Sequence, residues 1–166
     1  MHPATDHVII FAGDGEGFLS VFKCSSLEDL SSVQNDSYQM SMIRLHKNSI
    51  NAITIDPLDY NKLYTSCFNS EIMLFDLPKQ KSQIFLSDNN FGKISFTNCS
   101  RDPHQMYCGT WDGNVMFLDT RTKEYTNTIE LGTKRVYSIS EHPIDHHYLA
   151  IAEGRYFLLK NFYQSL

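Results

Sequence analysis

The chain has 166 residues, 42% of them hydrophobic and 13% aromatic, with a formal net charge of −5. It is long enough to bury one ordinary core, and its mildly acidic balance excludes a globally basic nucleic-acid coat while leaving room for a local basic face. No apolar run approaches the roughly 20 residues of a membrane-spanning helix, Met1-His2-Pro3-Ala4-Thr5-Asp6 shows no secretory signal pattern, and Cys24, Cys67, Cys99 and Cys108 never form Cys-x-x-Cys, so they read as reduced core residues.

In chain order, strands are predicted at 7–11 and 18–23, joined across Gly13-Asp14-Gly15-Glu16-Gly17. A Ser-rich, acidic surface loop is expected at 24–37, followed by an outer strand at 39–45. The turn His46-Lys47-Asn48-Ser49 leads into strands at 50–55, 63–67, 72–77 and 82–86. Further strands are predicted at 93–99, 106–110, 114–119 and 125–131, then at 136–140, 148–152 and 156–160. No helical pattern competes, because period-2 alternation is interrupted by turn signals every roughly 8 to 12 residues.

These strands repeat. In Cys108-Gly109-Thr110-Trp111-Asp112-Gly113-Asn114-Val115-Met116-Phe117-Leu118-Asp119-Thr120-Arg121, the Asp112-Gly113 pair predicts a two-residue hairpin with positive backbone angles. Glu16-Gly17, Asn69-Ser70 and Glu153-Gly154 precede second strands in what reads as the same register, with Phe22, Phe75, Leu118 and Leu159 at equivalent places. A polar-Pro pair precedes each hairpin: His2-Pro3, Asp56-Pro57, Asp102-Pro103 and His142-Pro143. A period of roughly 40 to 45 residues with about four strands is the signature of a propeller blade.

On these motifs the chain resembles the WD-repeat (WD40) β-propeller family, with Phe75-Asp76 and Leu118-Asp119 standing where that family has Trp-Asp. The resemblance implies an all-β fold of about half a seven-bladed ring, two complete and two partial blades. The expected divisions of this one propeller domain are 1–45, 46–90, 91–132 and 133–166. An open half-ring exposes apolar blade faces, so the chain is expected to be a fragment of a longer propeller, or to be completed by self-association or by a partner. Many WD repeats join a His, a Ser or Thr, an Asp and the Trp by hydrogen bonds; His46 and Ser66 match, whereas Asn69 and Phe75 depart.

Gly109-Thr110-Trp111-Asp112-Gly113-Asn114, Leu118-Asp119-Thr120-Arg121-Thr122 and Lys134-Arg135-Val136 leading to His142-Pro143 are similar to the group around WD repeat-containing protein 76, which is related to the small subunit of the damage-specific DNA-binding complex. This implies a nuclear, non-enzymatic protein associated with DNA or chromatin in the DNA-damage response. It also implies a substrate receptor docking on the large subunit of that complex, the adaptor of a cullin-RING ubiquitin ligase. The docking residues it implies are Asp119 and Arg121, a guanidinium at a blade rim being suited to bridge carboxylates and carbonyls. The competing reading is that Asp119 fixes a strand end and Arg121 is solvated.

Lys47, Lys93, Lys134 and Arg135 each lie shortly before an innermost strand, which brings them to one propeller face, and Trp111 lies in a hairpin loop opening toward it. Basic groups there suit phosphates and an indole suits base stacking; Trp111 packing against a neighbouring blade is the alternative. His142, Asp145, His146 and His147 fall in one turn without a second ligand cluster, so no metal site and no cofactor is expected. No nucleophile elbow, phosphate loop or His-Glu-x-x-His occurs, which disfavours a propeller hydrolase. The remaining alternative is a WD-repeat scaffold that binds proteins without nucleic acid.

Overall fold

Alternating apolar and polar residues between turns fold as antiparallel strands in four successive sheets. The computed structural model describes residues 8–24, 38–87, 93–102, 104–132, 134–145, 147–154 and 156–161. His2, Pro3, Pro103, His146 and all but the first residue of the expected loop at 24–37 lie outside them. The first sheet holds β1 (Val8–Gly13), β2 (Phe18–Cys24) and β3 (Tyr38–Arg44). The second holds β4 (Ile50–Ile55), β5 (Lys62–Cys67), β6 (Glu71–Asp76) and β7 (Lys81–Ser87). The third holds β8 (Ile94–Cys99), β9 (Gln105–Thr110), β10 (Asn114–Asp119) and β11 (Glu124–Glu130). The fourth holds β12 (Val136–Glu141), β13 (Tyr148–Glu153) and β14 (Tyr156–Asn161). Among the described residues, two four-stranded and two three-stranded meanders match the complete and partial propeller blades expected.

The central hairpins differ from the expected two-residue turn. Only Gly113 of the Asp112-Gly113 pair has positive φ, at 84°, and three residues separate β9 from β10. Such a loop ends in one left-handed residue, a place taken elsewhere by Gly17 (φ 89°) and by Ser70 (φ 59°). Glycine is needed at 17 and 113 for a second reason. A Cβ on Gly17 would lie 2.2 Å from the His46 carbonyl oxygen, and one on Gly113 2.7 Å from that of Gly132. The linker to the next sheet passes directly over each turn, with Leu45 N–H donating to Gly17 O and Leu131 N–H to Gly113 O.

The fourth hairpin breaks the register expected of it. Glu153 pairs with Tyr156, closing the turn one residue tighter, so Ala152 faces Phe157 where Gly109 faces Val115 and Ser66 faces Ile72. A one-residue change moves every following side chain to the other face. Leu159 is therefore not the counterpart of Leu118, which is fully buried against the preceding sheet. It lies with Phe157 on the opposite face, where Phe157 is 86% exposed and its counterparts Val115, Ile72 and Leu19 are 0% exposed.

The polar-Pro landmarks also shift. Asp56, Ser100 and His142 are the structural equivalents, each donating its N–H to the first residue of the next strand (Lys62, Gln105 and Tyr148). Each side chain then accepts the amide two residues on: Leu58 at Asp56 Oδ1 (2.8 Å), Asp102 at Ser100 Oγ (3.1 Å), and Ile144 at His142 Nδ1 (3.3 Å). Asp102 thus sits two residues past the place of Asp56. A carboxylate, a hydroxyl and an imidazole make the same corner.

One apolar layer joins each pair of sheets. Leu19, Leu63 and Phe75 fill the first; Tyr64, Ile72, Ile94, Met106 and Leu118 the second; Tyr107, Val115, Phe117, Ile139 and Ile151 the third. Burying each such side chain contributes about 1.5 to 3 kcal/mol. The innermost strands β4, β8 and β12 share a bulge after their first residue. At the bulge Asn51 Nδ2 donates to Ile94 O and Ser95 Oγ to Val136 O, polar stitches from one blade to the next. Cys67, Cys99 and Cys108 are free thiols in strands; burial pushes Cys99 up to about 11 and Cys108 higher still, so both remain protonated.

Candidate functional site

The bulge and the central hairpin together build one end of each blade. Residues just before an innermost strand emerge beside the first residue of a hairpin loop, because Trp111 N–H donates to Lys93 O and Gly154 N–H to Arg135 O. This brings Lys93, Trp111 and Arg135 to one surface with two residues that the sequence did not single out, Phe68 and Tyr137. Phe68 and Trp111, each the first residue after its strand, meet edge to face with centroids 4.9 Å apart. Lys93 Nζ lies 4.5 Å from the Phe68 centroid, and the Arg135 guanidinium carbon 4.2 Å from Trp111 and 5.0 Å from Tyr137.

The result is a continuous run of stacked cations and rings across three sheets, in the order Lys93, Phe68, Trp111, Arg135, Tyr137. Each cation sits over the ring contributed by the preceding blade, a repeat that is visible only once the hairpins are superposed. Trp111 Nε1 and Arg135 Nε are buried without hydrogen-bond partners, so stacking rather than hydrogen bonding fixes the pair. Trp111 does pack against a neighbouring blade, and its ring carries the Arg135 guanidinium.

Lys47 and Lys134 occupy other ground. Lys47 is exposed and lines a cleft with Arg44, His46, Cys67, Asn69 and Glu71. Lys134 N–H donates to Glu153 Oε1 at 3.3 Å, and its side chain lies over Gly154.

His46 does not use Ser66. Its Nε2 lies 2.8 Å from Thr65 Oγ1, while Ser66 Oγ accepts from Thr97 in the next blade. Glu71, rather than Asn69, approaches the other nitrogen, with Nδ1 to Oε1 at 3.3 Å. Burial lowers the imidazole below its ordinary value, against the opposing pull of Glu71, and favours the neutral ring.

At the rim, Asp119 closes β10 and Arg121 follows in the turn. Arg121 Nη2 lies 2.8 Å from Asp119 Oδ2 and its Nε 3.2 Å from Oδ1, and Oδ1 also accepts the Arg121 backbone N–H at 2.8 Å. Hydrogen bonding from Arg121 holds the Asp119 carboxyl well below the usual carboxylate range. The Arg121 side chain nevertheless remains 64% exposed. The second blade has a counterpart without an arginine: Lys79 Nζ bonds Asp76 Oδ2 at 2.7 Å. His142 serves its turn, and Asp145 Oδ1 accepts the His147 N–H at 3.1 Å and lies 2.7 Å from its Nδ1.

Comparison with known proteins adds relatives to this geometry. The chain is 30% identical over 167 aligned positions to the DNA damage-binding protein CMR1 of Coccidioides immitis, covering 91% of the chain and 32% of that protein. For the protein of the same name in Phaeosphaeria nodorum the figures are 28% identity, 92% and 31%, and for that in Yarrowia lipolytica 29%, 90% and 27%. The chain thus spans about a third of the length of the curated relatives it matches. No protein-family model matches it. Among solved structures, a chain of the mitotic checkpoint complex superposes with a TM-score of 0.72 at 13% identity, over 95% of this chain and 47% of that one, a likeness of fold alone. By its successive four-stranded meanders, their repeated hairpin geometry and these likenesses, the chain has the fold of WD-repeat β-propeller blades and is similar in sequence to the DNA damage-binding proteins named CMR1.

Proposed function

We propose that the chain is the propeller portion of a non-enzymatic, nuclear protein that associates with DNA or chromatin in the DNA-damage response. The observation that carries this reading is the Lys93–Phe68–Trp111–Arg135 stack, a basic and aromatic surface in a chain whose relatives are named DNA damage-binding proteins. Lysine and arginine neutralise phosphates, and the rings offer stacking surfaces once the cations turn toward a strand. The same protein serves as a substrate receptor of a cullin-RING ligase, with Asp119 and Arg121 at the rim contacting the adaptor, the large subunit of the damage-specific DNA-binding complex.

The test is DNA binding by fluorescence anisotropy at several salt concentrations, comparing the wild type with Lys93→Glu and Arg135→Glu. Each reversal is expected to weaken binding and to reduce the salt slope by about 1. Unchanged affinity in both variants would count against a DNA surface. It would favour the second reading, a protein-binding scaffold, which the Arg135 guanidinium already stacked on Trp111 and the net charge of −5 support.

A further inference from the structure

We propose that His46, Cys67 and Glu71 form a binding site for a divalent transition-metal ion of the zinc class, at the junction of the first two blades. The three come from two local structures. His46 lies in the linker after β3, held where its N–H donates to Gly17 O. Cys67 ends β5 and Glu71 begins β6, so the three-residue hairpin between them sets their side chains together.

One ligating atom from each residue lies within 4.8 Å of the other two. The His46 Nδ1 to Glu71 Oε1 separation is 3.3 Å. Two ligand atoms each about 2.0 Å from a tetrahedral zinc ion are themselves about 3.3 Å apart. Drawing the Cys67 and Glu71 side chains in from separations of up to 4.8 Å to tetrahedral spacing takes a shift on the order of 1 Å, within the reach of rotamer adjustment.

The imidazole supplies an independent argument. The His46 side chain is fully buried, and its Nδ1 has no hydrogen-bond partner although a carboxylate oxygen faces it. In the tautomer that carries its proton on Nε2, 2.8 Å from Thr65 Oγ1, Nδ1 turns a bare lone pair toward that oxygen. Two lone pairs at this distance repel unless a cation stands between them. Donation of the far ring N–H to a fixed acceptor is the arrangement that metal-bound histidines keep, since it sets the tautomer and aims the ring.

Imidazole, thiol and carboxylate together suit zinc or cobalt rather than magnesium or calcium, which take oxygen ligands. A cleft of about 530 Å³ opens beside the three residues and gives the ion a way in and room for a fourth ligand, a water or a side chain from a partner. Arg44, which also lines it, has its guanidinium over the Phe18 ring at 5.5 Å. Lys47 is exposed at the cleft and free to turn into solvent.

Cobalt(II) titration of the full chain tests the site, followed by displacement with zinc sulfate. The expected result is one equivalent of cobalt with the visible bands of a tetrahedral ion and a thiolate-to-metal charge-transfer band, both abolished by zinc. Cys67→Ser should lose the charge-transfer band. Glu71→Gln, at a partly exposed position, should keep the wild-type circular dichroism and bind at least about tenfold more weakly. His147→Ala, in the surface turn, should leave both stoichiometry and spectrum unchanged. An octahedral spectrum without charge transfer, a charge-transfer band that persists in Cys67→Ser, or full affinity in Glu71→Gln would each overturn the assignment.

Discussion

The Arg135 guanidinium stands 4.2 Å above the Trp111 indole and bridges the third and fourth blades. Trp111 is the only tryptophan in the chain, so intrinsic fluorescence reads this contact directly. Arg135→Ala should shift the emission and lower stability by about 1 kcal/mol, the ordinary worth of a partly desolvated cation–π pair. If a base displaces the guanidinium, single-stranded DNA should quench wild-type emission. Emission that ignores both the substitution and DNA would show that the indole neither feels Arg135 nor meets a base.

Arg121 faces two demands at once. Its hydrogen bonds to Asp119 satisfy the carboxylate, while its exposed edge remains available to a partner. Arg121→Glu should strip a co-purifying ligase adaptor from the full-length protein, and Arg121→Lys should restore it only in part, because an ammonium lacks the planar fork. Retention of the adaptor by Arg121→Glu would remove the docking assignment.

The same pair sets a pH response. The folded carboxyl of Asp119 is depressed, so its contribution is present above the unfolded value of about 3.9 and fades only as pH falls through the lower folded value. NMR titration of the Asp119 carboxyl should show a midpoint below that of an ordinary aspartate, moving upward in Arg121→Ala. An unmoved midpoint would mean that Arg121 is not its cause.

At the alkaline end Tyr107 takes over. Burial pushes its phenol up to about 12, and its hydroxyl lies 3.1 Å from Ser100 Oγ and 3.3 Å from Glu141 Oε1. A raised folded value means that the unfolded chain releases this proton first, near pH 10. Stability is therefore full below about pH 10 and is lost as pH rises toward 12. Thermal melts of Tyr107→Phe should show a shallower alkaline decline than the wild type; parallel declines would exclude Tyr107 as the group responsible.

Two glycines separate conformation from space. Gly113 has φ 84° and backbone oxygens within 2.8 Å of any added Cβ, whereas nothing lies within 4 Å of a Cβ on Gly15. Gly113→Ala should destabilise by about 1 to 3 kcal/mol, and Gly15→Ala should be neutral or stabilise by up to about 1 kcal/mol. Urea melts of the two variants give the comparison.

Strand positions were legible because alternation and turn residues are local, and β4 and β10 fall where the pattern puts them. What escaped the sequence depends on registry. Leu159 reads as the partner of Leu118 until a hairpin one residue shorter turns it over. Ser66 matches a motif, yet it points to Thr97 while its neighbour Thr65 meets His46, since adjacent strand residues face opposite ways. Phe68 carried no signal of its own; its value comes from Lys93, which lies in the next blade. The cluster of His46, Cys67 and Glu71 likewise needs a linker and a hairpin to be folded against each other. Asp119 and Arg121 were the exception, two residues apart and readable at once, although the lysine that does the same for Asp76 was not.

The apolar layers run from each sheet to the next, and the fourth sheet carries Phe157 and Leu159 uncovered on its far side. Mechanically this makes the chain a stack of plates. Under tension the first and fourth sheets, each clamped on one side, should yield before the second and third, which are clamped on both. Extension should then proceed in discrete steps from the outer plates, and whatever seats itself against Phe157 should act as a brake on the release of the fourth.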